Sequence, residues 1–435
     1  MAIARAPGTP TRHQAPARPG QQQPELPQHG KPVAGIIPLR RIFSAESNNY
    51  FLLLGTTMFL VVFGLVMVLS SSSVESFLQN NDFFGVFTRQ GLYAVIGVPL
   101  MLVASRMPVS FWKRWSWPAV MIGVGLQFLV VATPLGYSYG GNTNWITIGG
   151  VNAQPSEIVK LALVVWIAWI LSTKQDLLDD WKHVALPIAP VAGIAIGFVL
   201  VGNDLGTAFI MLAIVIGALF FAGIRLKFLG IAVAGIALVG AIFAVASDSR
   251  TERFQVWLNG CADGDYANLC WQIQHGTWAL ASGGMFGVGL GNSKAKWSWL
   301  PEADNDFIFA IIGEELGLVG AIVVLLLFVL LAIAFVRVIR STTDAFVRIT
   351  TSGIMIWVVG QAFVNIAVVL GVLPVLGVPL PLISAGGSAL ISTLLAIGVV
   401  LSFARHPVQR DELAPQQTPA ERSRLAAVQR VRRQR

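Results

Sequence analysis

The chain has 435 residues, 55% of them hydrophobic and only 12% charged, with a formal net charge of +8. Soluble domains carry about 25% charged residues, so this chain has too little charge to cover a water-facing surface, and a purely soluble fold is excluded. A mean hydropathy of +0.69, with 25 Phe and 13 Trp, fits apolar spans with aromatic anchors at the bilayer interface.

In chain order, residues 1–49 come first as a basic tail: Arg5, Arg12, Arg18, Lys31, Arg40 and Arg41 stand against two acids. Its Pro, Gln and Gly content predicts disorder, and it shows no apolar run of the kind a cleavable signal carries. A membrane domain follows over 50–404. A helix needs roughly 20 apolar residues to cross a bilayer. Phe51–Leu69 meets this with no charge at all, and further spans are predicted over 85–104, 115–134, 157–172, 185–201, 204–223, 227–246, 307–336, 349–371 and 387–404. The fold class is therefore an all-α polytopic membrane protein with about ten transmembrane helices.

Loop charges support the count. Arg106, Lys113 and Arg114, then Lys174 and Lys182, then Arg225 and Lys227, then Arg337, Arg340 and Arg348 fall in alternate connections. The connections at 70–84, 135–156, 202–203 and 372–386 hold no Lys or Arg. By the positive-inside rule both termini are expected in the cytoplasm. The basic tail 405–435, with eight Arg, reads the same way rather than as a nucleic-acid binder, and no nucleic-acid partner is expected.

The connection 247–306 breaks the pattern, with four cations and seven acids. Loops of this length are functional or disordered. Trp257, Trp271, Trp278 and Trp297 predict order, so a large ordered extracytoplasmic loop is expected between the seventh and eighth spans. It holds both cysteines, Cys261 and Cys270. An oxidising compartment permits a bridge between them; two free thiols are the alternative. The five His, at 13, 29, 183, 275 and 406, form no ligand-spaced cluster with them, so the sequence assigns no metal site.

Four polar groups lie at or near membrane depth, where ionisable residues are costly. In Gln154-Pro155-Ser156-Glu157-x-x-Lys160, Glu157 and Lys160 share a helix face and can pair, either as a structural bridge or as a site. In Asn203-Asp204-Leu205-Gly206-Thr207, Asp204 reads as an N-cap and Gly206 as a point of close helix approach. In Leu300-Pro301-Glu302-Ala303-Asp304-Asn305-Asp306-Phe307, Asp304 or Asp306 is expected to cap the next helix, with Glu314 and Glu315 about two turns further in. In Pro379-Leu380-Pro381-Leu382-Ile383-Ser384-Ala385-Gly386-Gly387-Ser388, two prolines and the glycine pair break the helix, and irregular backbone there predicts an outward-facing cavity. The run Gly287-x-Gly289-x-Gly291 beside Lys294 and Lys296 lacks nucleotide-binding spacing, but reads as an anion nest suited to a lipid pyrophosphate.

These five segments occur in the order found in the SEDS proteins (shape, elongation, division and sporulation), and the chain resembles that family over roughly 50–405. The resemblance implies a peptidoglycan glycosyltransferase that polymerises lipid II into glycan strands, working beside a class B penicillin-binding protein (transpeptidase) and other divisome proteins. Leu300–Ala303 followed by Asp306–Gly317 is more similar to the division branch than to the elongation branch, which implies enrichment at the septum. The family's catalytic Asp follows an Arg by about ten residues. Arg253 leads to Asp263, and Gln272 matches a downstream Gln; counting back from Gln272 favours Asp265 instead. The expected prolines around the Asp are absent, since Gly260 to Gly264 stand there, and Asn144 and Asn305 replace a usual Arg and Thr. With the polar groups above, the candidate substrate-binding residues are Arg253, Gln272, Lys294, Lys296, Glu157 and Lys160, and also Glu302, Glu315, Ser384, Gly386, Gly387 and Ser388. The resemblance allows a divalent cation (Mg or Mn) and implies no organic cofactor. A lipid II flippase, a non-catalytic scaffold that activates the penicillin-binding protein, and an elongation role stay open as alternatives.

Overall fold

The computed structural model describes residues 47–139, 142–148, 151–245, 248–260, 269–297 and 299–405. The expected tails lie almost wholly outside these. The helices are α1 (Asn48–Asn80), α2 (Gly85–Ala104), α3 (Val109–Ala132), α4 (Pro155–Thr173), α5 (Trp181–Val201), α6 (Leu205–Ala222) and α7 (Leu226–Val245). After these come α8 (Asp248–Asn259) and α9 (Leu269–Gly283) in the long connection, then α10 (Ile308–Ser341), α11 (Ala345–Val369) and α12 (Gly387–Arg405). Among the described residues nine helices are long and apolar enough to cross a membrane. α7 adds the apolar stretch Leu226–Ala237 and runs on to Val245. Each of the ten predicted spans falls on one of these helices. We call the side bearing the α7–α10 connection the loop face, and the side bearing Arg106, Lys113, Lys174, Arg225 and Arg340 the basic face.

Helix starts follow residue chemistry. Ser47 accepts from Tyr50 N at 3.2 Å to open α1, and Asp344 accepts from Phe346 N at 2.8 Å to open α11. Such caps satisfy backbone donors that a helix start leaves free. Lys113 on α3 reaches Asp344 at 2.9 Å and fastens the basic face. The core lies around α4, α11 and α12. α4 is buried along nearly its whole length, including Trp166 and Lys160, as expected of a helix that is apolar around most of its circumference. Small residues let backbones close in. A Cβ at Gly398 on α12 would press on the Met101 carbonyl of α2, and one at Gly353 on α11 would press on Val164 of α4.

Two features of the loop face were not expected. The connection before α4 is a three-stranded antiparallel meander, β1 (Gly136–Tyr139), β2 (Asn142–Ile148) and β3 (Val151–Ala153), with Trp145 opposite Tyr137 and Ile146 opposite Ala153. Asn144 in β2 is fully buried; it accepts from Gln127 Nε2 at 2.9 Å and donates to Gly202 O at 3.4 Å. The second is a break in α10 at Gly317, whose φ of 67° and ψ of −168° are not helical.

Candidate functional site

The loop face gathers polar groups around the segment 371–386. This segment is not helical, and Leu382 within it has a φ of 68°. Its carbonyls and hydroxyls are held from several helices. Gln361 Nε2 donates to Pro379 O at 2.9 Å, Asn365 Nδ2 to Val378 O at 2.8 Å, and Gln90 Nε2 to Ser384 O at 3.0 Å. Ser384 Oγ donates to Asn305 O at 2.7 Å, and Ala385 N to Asp304 O at 2.8 Å. These bonds tie the proline-rich segment to the Glu302–Asp306 turn, so the irregular backbone is satisfied by protein. α12 then starts at Gly387, where a Cβ would collide with the Tyr93 ring. Ser388 Oγ accepts from Gln154 N at 3.2 Å. Gly386 is half-buried beside it.

Below this platform sits the expected ion pair. Lys160 Nζ is 2.8 Å from Glu157, with side chains only 1% and 3% exposed. Lys160 also donates to Gln361 Oε1 at 3.2 Å and stands 4.8 Å from the Trp357 ring centroid. Trp357 lies in a π-helical turn, Ile356–Gly360, a distortion common at functional sites. Asp204 caps α6 as expected, accepting from Thr207 N at 2.9 Å, and it also accepts from Gln154 Nε2 at 3.0 Å. Gly206 marks a close approach, but by the irregular segment rather than by another helix: a Cβ there would press on the Leu376 carbonyl.

The three carboxylates of the 302–306 turn form an acidic cluster. Neither Asp304 nor Asp306 caps α10, contrary to expectation. The N-cap is Phe307, with no side-chain hydrogen bond, because the preceding turn closes on itself through Asn305 N and Phe307 N to Glu302 O. Burial, then the nearby charges of Glu75 and Glu302, pushes Asp304 up to about 7. Asp306 is also pushed up to about 7, by burial first and then by Glu302 and Asp204, while Arg253 pulls it back down. Arg253, on α8, donates from Nη1 to Val375 O at 3.3 Å, which brings a guanidinium to the edge of this cluster.

Arg253 also stands at the end of an apolar groove. A cavity of about 1030 Å³ runs between α5, α6 and α7, lined by Ile188, Ile196, Leu212, Phe228 and Ile236 among others. Phe254 and Leu376 close it at the loop face. These are the chain neighbours of Arg253 and of Val375, the residue whose carbonyl Arg253 holds. The loop-face end of the groove therefore lies beside a cation and an acidic cluster.

Gln272 on α9 donates to Pro301 O at 3.3 Å, and Trp271 Nε1 to Trp299 O at 2.6 Å. Cys270 is buried and disulfide-bonded. Cys261, Asp263 and Asp265 lie outside the described residues, in the segment joining α8 to α9.

The glycine run is not the open anion nest expected. Its backbone donors are already committed: Val288 N to Glu314 O and Gly289 N to Glu315 O, both at 3.0 Å, and Gly291 N to Ser70 Oγ at 3.1 Å. Glu314 accepts from Ser293 Oγ and, at 2.9 Å, from Lys294 N. Glu315 accepts from Ser70 Oγ and pairs with Lys296 Nζ at 3.4 Å. Lys296 and Glu315 are thus bound to each other inside the protein, whereas Lys294 is exposed. Gln361 and Asn365 are functional-face residues the sequence reading missed. Two amides four apart in an apolar span share a helix face, and that signal was available. Among the described residues no three His, Cys, Asp or Glu side chains converge to hold a metal ion.

The fold and site together define a polytopic membrane protein whose polar chemistry gathers on one face, at the mouth of an apolar groove between its helices. A family described as cell cycle protein, FtsW/RodA/SpoVE, matches residues 50–409. The chain belongs to this family, the one its motifs resemble. It is 36% identical over 359 residues to the probable peptidoglycan glycosyltransferase FtsW of Mycobacterium tuberculosis, covering 82% of this chain and 68% of that one. It is 38% identical over 344 residues to the protein of the same description from a Geobacter species, covering 79% and 93%. Among solved structures, a chain of a peptidoglycan synthase complex that coordinates polymerization and crosslinking superposes with a TM-score of 0.67 at 25% identity, covering 82% and 98%.

Proposed function

We infer that this protein is a peptidoglycan glycosyltransferase that polymerises lipid II during septal wall synthesis, as its relatives' descriptions suggest. The observation that carries the reading is the juxtaposition of an apolar groove with the Arg253–Val375 contact, whose chain neighbours Phe254 and Leu376 line its loop-face end. A polyprenyl chain gains about 0.8 kcal/mol for each buried CH₂, and the groove suits it. The pyrophosphate joining that chain to the sugar would then lie at the loop face, beside Arg253. With the basic face in the cytoplasm, the loop face is extracytoplasmic and both termini are inside.

In the reaction, the 4-hydroxyl of a GlcNAc end attacks the anomeric carbon of a MurNAc. A base takes the hydroxyl proton as the new C–O bond forms. The bond to the pyrophosphate breaks, and the lipid pyrophosphate leaves with the electron pair. A single displacement of this kind inverts the anomeric centre. Asp263 is the assigned base, with Asp265 as rival; a carboxylate serves best when partial desolvation raises its pKa. Arg253 opposes charge that grows on the leaving group, and such stabilisation is the larger catalytic effect. The described residues supply no ligand set for a divalent cation.

A class B penicillin-binding protein is the expected partner, in keeping with the synthase complex above. The test is lipid II polymerisation by the full chain with such a partner, comparing wild type, Asp263→Ala and Asp265→Ala. Glycan from wild type and Asp265→Ala, and none from a folded Asp263→Ala, supports the reading and the assignment. Equal glycan from all three removes both aspartates as the base, and no glycan even from wild type returns the transport and scaffold readings to contention.

A further inference from the structure

The glycine run has a second use, visible in how it meets the break in α10. In an unbroken helix, Glu314 O and Glu315 O would accept from Leu318 N and Val319 N, four residues on. The turn at Gly317 cancels both bonds. The loop replaces them: Val288 N and Gly289 N donate to the two carbonyls at 3.0 Å, while Leu318 N donates to Gly284 O at 2.9 Å and Val319 N to Met285 O at 3.2 Å. Four main-chain bonds thus fasten 284–289 across the break. Gly287 and Gly317 both have positive φ, and a Cβ on either would collide with the other strand's backbone.

This places the loop tip at a definite depth. Along α10, Leu318 is 22 residues from Arg340, or about 33 Å, while the hydrocarbon core is about 30 Å thick. With Arg340 at the basic face, Leu318 therefore lies at the opposite edge of the hydrocarbon. Leu318, Val319, Ile322 and Val323 are exposed on the outside of α10, as lipid-facing residues are. The tip pinned beside them turns its apolar side chains outward: Met285 is 57% exposed, Phe286 82% and Leu290 55%. No charged residue occurs from Gly283 to Gly291. Trp278, Trp297 and Trp299 are exposed nearby in the chain, a composition typical of the interface. Irregular backbone is tolerated at this depth only when its polar groups are satisfied, and the N–H groups of Gly287, Val288 and Gly289 and the carbonyls of Gly284 and Met285 are.

We propose that Met285–Leu290 is a membrane-inserted strap: its side chains enter the acyl region of the leaflet at the loop face, continuing the lipid-facing surface of α10. The strap anchors α9 and the loop carrying Arg253 and Gln272 at a fixed height above that leaflet. The occupant is lipid rather than protein, because the exposed side chains extend a surface that already faces lipid.

The test is nitroxide accessibility by spin resonance on the full chain in nanodiscs of phosphatidylethanolamine and phosphatidylglycerol. Phe286→Cys is labelled, with Ile322→Cys as the lipid reference, Asn292→Cys as the water reference and labelled wild type as background. Met285→Cys repeats the measurement, and each variant is used only if it keeps the wild-type elution and Tm. The expected result is oxygen access at 286 and 285 matching Ile322→Cys, with several-fold less access to a water-soluble nickel chelate than Asn292→Cys. Nickel access equal to Asn292→Cys overturns the proposal. So does low access to both probes, which would mean that protein covers the tip.

Discussion

Arg253 Nη1 lies 3.3 Å from the Val375 carbonyl, and this one contact joins the loop helix α8 to the rim of the apolar groove. The guanidinium holds the rim and still faces the acidic turn at Asp306. Replacing Arg253 with Ala removes both. Hydrogen bonds to charged groups are worth about 1.5–3 kcal/mol, so polymerisation by Arg253→Ala should fall roughly 10- to 150-fold. Arg253→Lys keeps the charge without the fork and should fall between. Initial rates with lipid II check this, and an unchanged rate in the Ala variant removes Arg253 from the mechanism.

Asp304 and Asp306 predict a pH dependence of stability. Their folded values of about 7 stand above the ordinary 3.8. The folded state therefore binds more protons than the unfolded state between those values, and stability falls as pH rises through that window. The contribution is fully present below the unfolded value and is gone above about pH 7. Tm in detergent should be higher near about pH 5 than near about pH 8. Asp306→Asn, which holds no charge to bury, should flatten this slope and raise Tm at the higher pH. A slope identical to wild type would mean that other groups set it.

Glu157 and Lys160 are better read as a paired structural element than as exposed chemistry, because both are buried and Lys160 is further held by Gln361. Lys160→Ala leaves a buried carboxylate alone and should cost about 3–5 kcal/mol. Replacing both, Glu157→Leu with Lys160→Met, should recover most of the Tm, and polymerisation with it. A double variant that regains its Tm but makes no glycan would place the pair on the substrate path instead.

How far these sites could be read in advance depended on the range of the interactions involved. The spans were legible because hydropathy is local: 85–104 and 387–404 coincide with α2 and α12 almost to the residue. The cap at Asp204 and the Glu157–Lys160 pair were legible because their partners lie three residues away. The meander at 136–153 was not, since its strands are short and interrupted by Asn and Gly. Asp304 and Asp306 looked like caps only because they precede a helix. Bonds that tie their turn to the rest of the fold come from Ser384 and Ala385, some eighty positions on. The glycine run looked like an anion nest for the same reason, since nothing nearby in sequence shows that Glu314, Glu315 and Ser70 already occupy its donors.

Gly317 makes this long-range dependence measurable. Its φ of 67° penalises any side chain, and the backbone of Gly287 and Met285 leaves no room for one. Gly223 at the end of α6 has a similar φ of 88° but nothing within reach of a Cβ. Gly223→Ala should therefore cost only the backbone strain, about 1–3 kcal/mol. Gly317→Ala should cost clearly more, because the strap must also move away and four main-chain bonds at the edge of the hydrocarbon must lengthen or break. Thermal unfolding of the two variants side by side isolates that difference. Equal losses would mean that the strap does not press on α10 in the folded protein, and the depth assigned to Phe286 would lose its support.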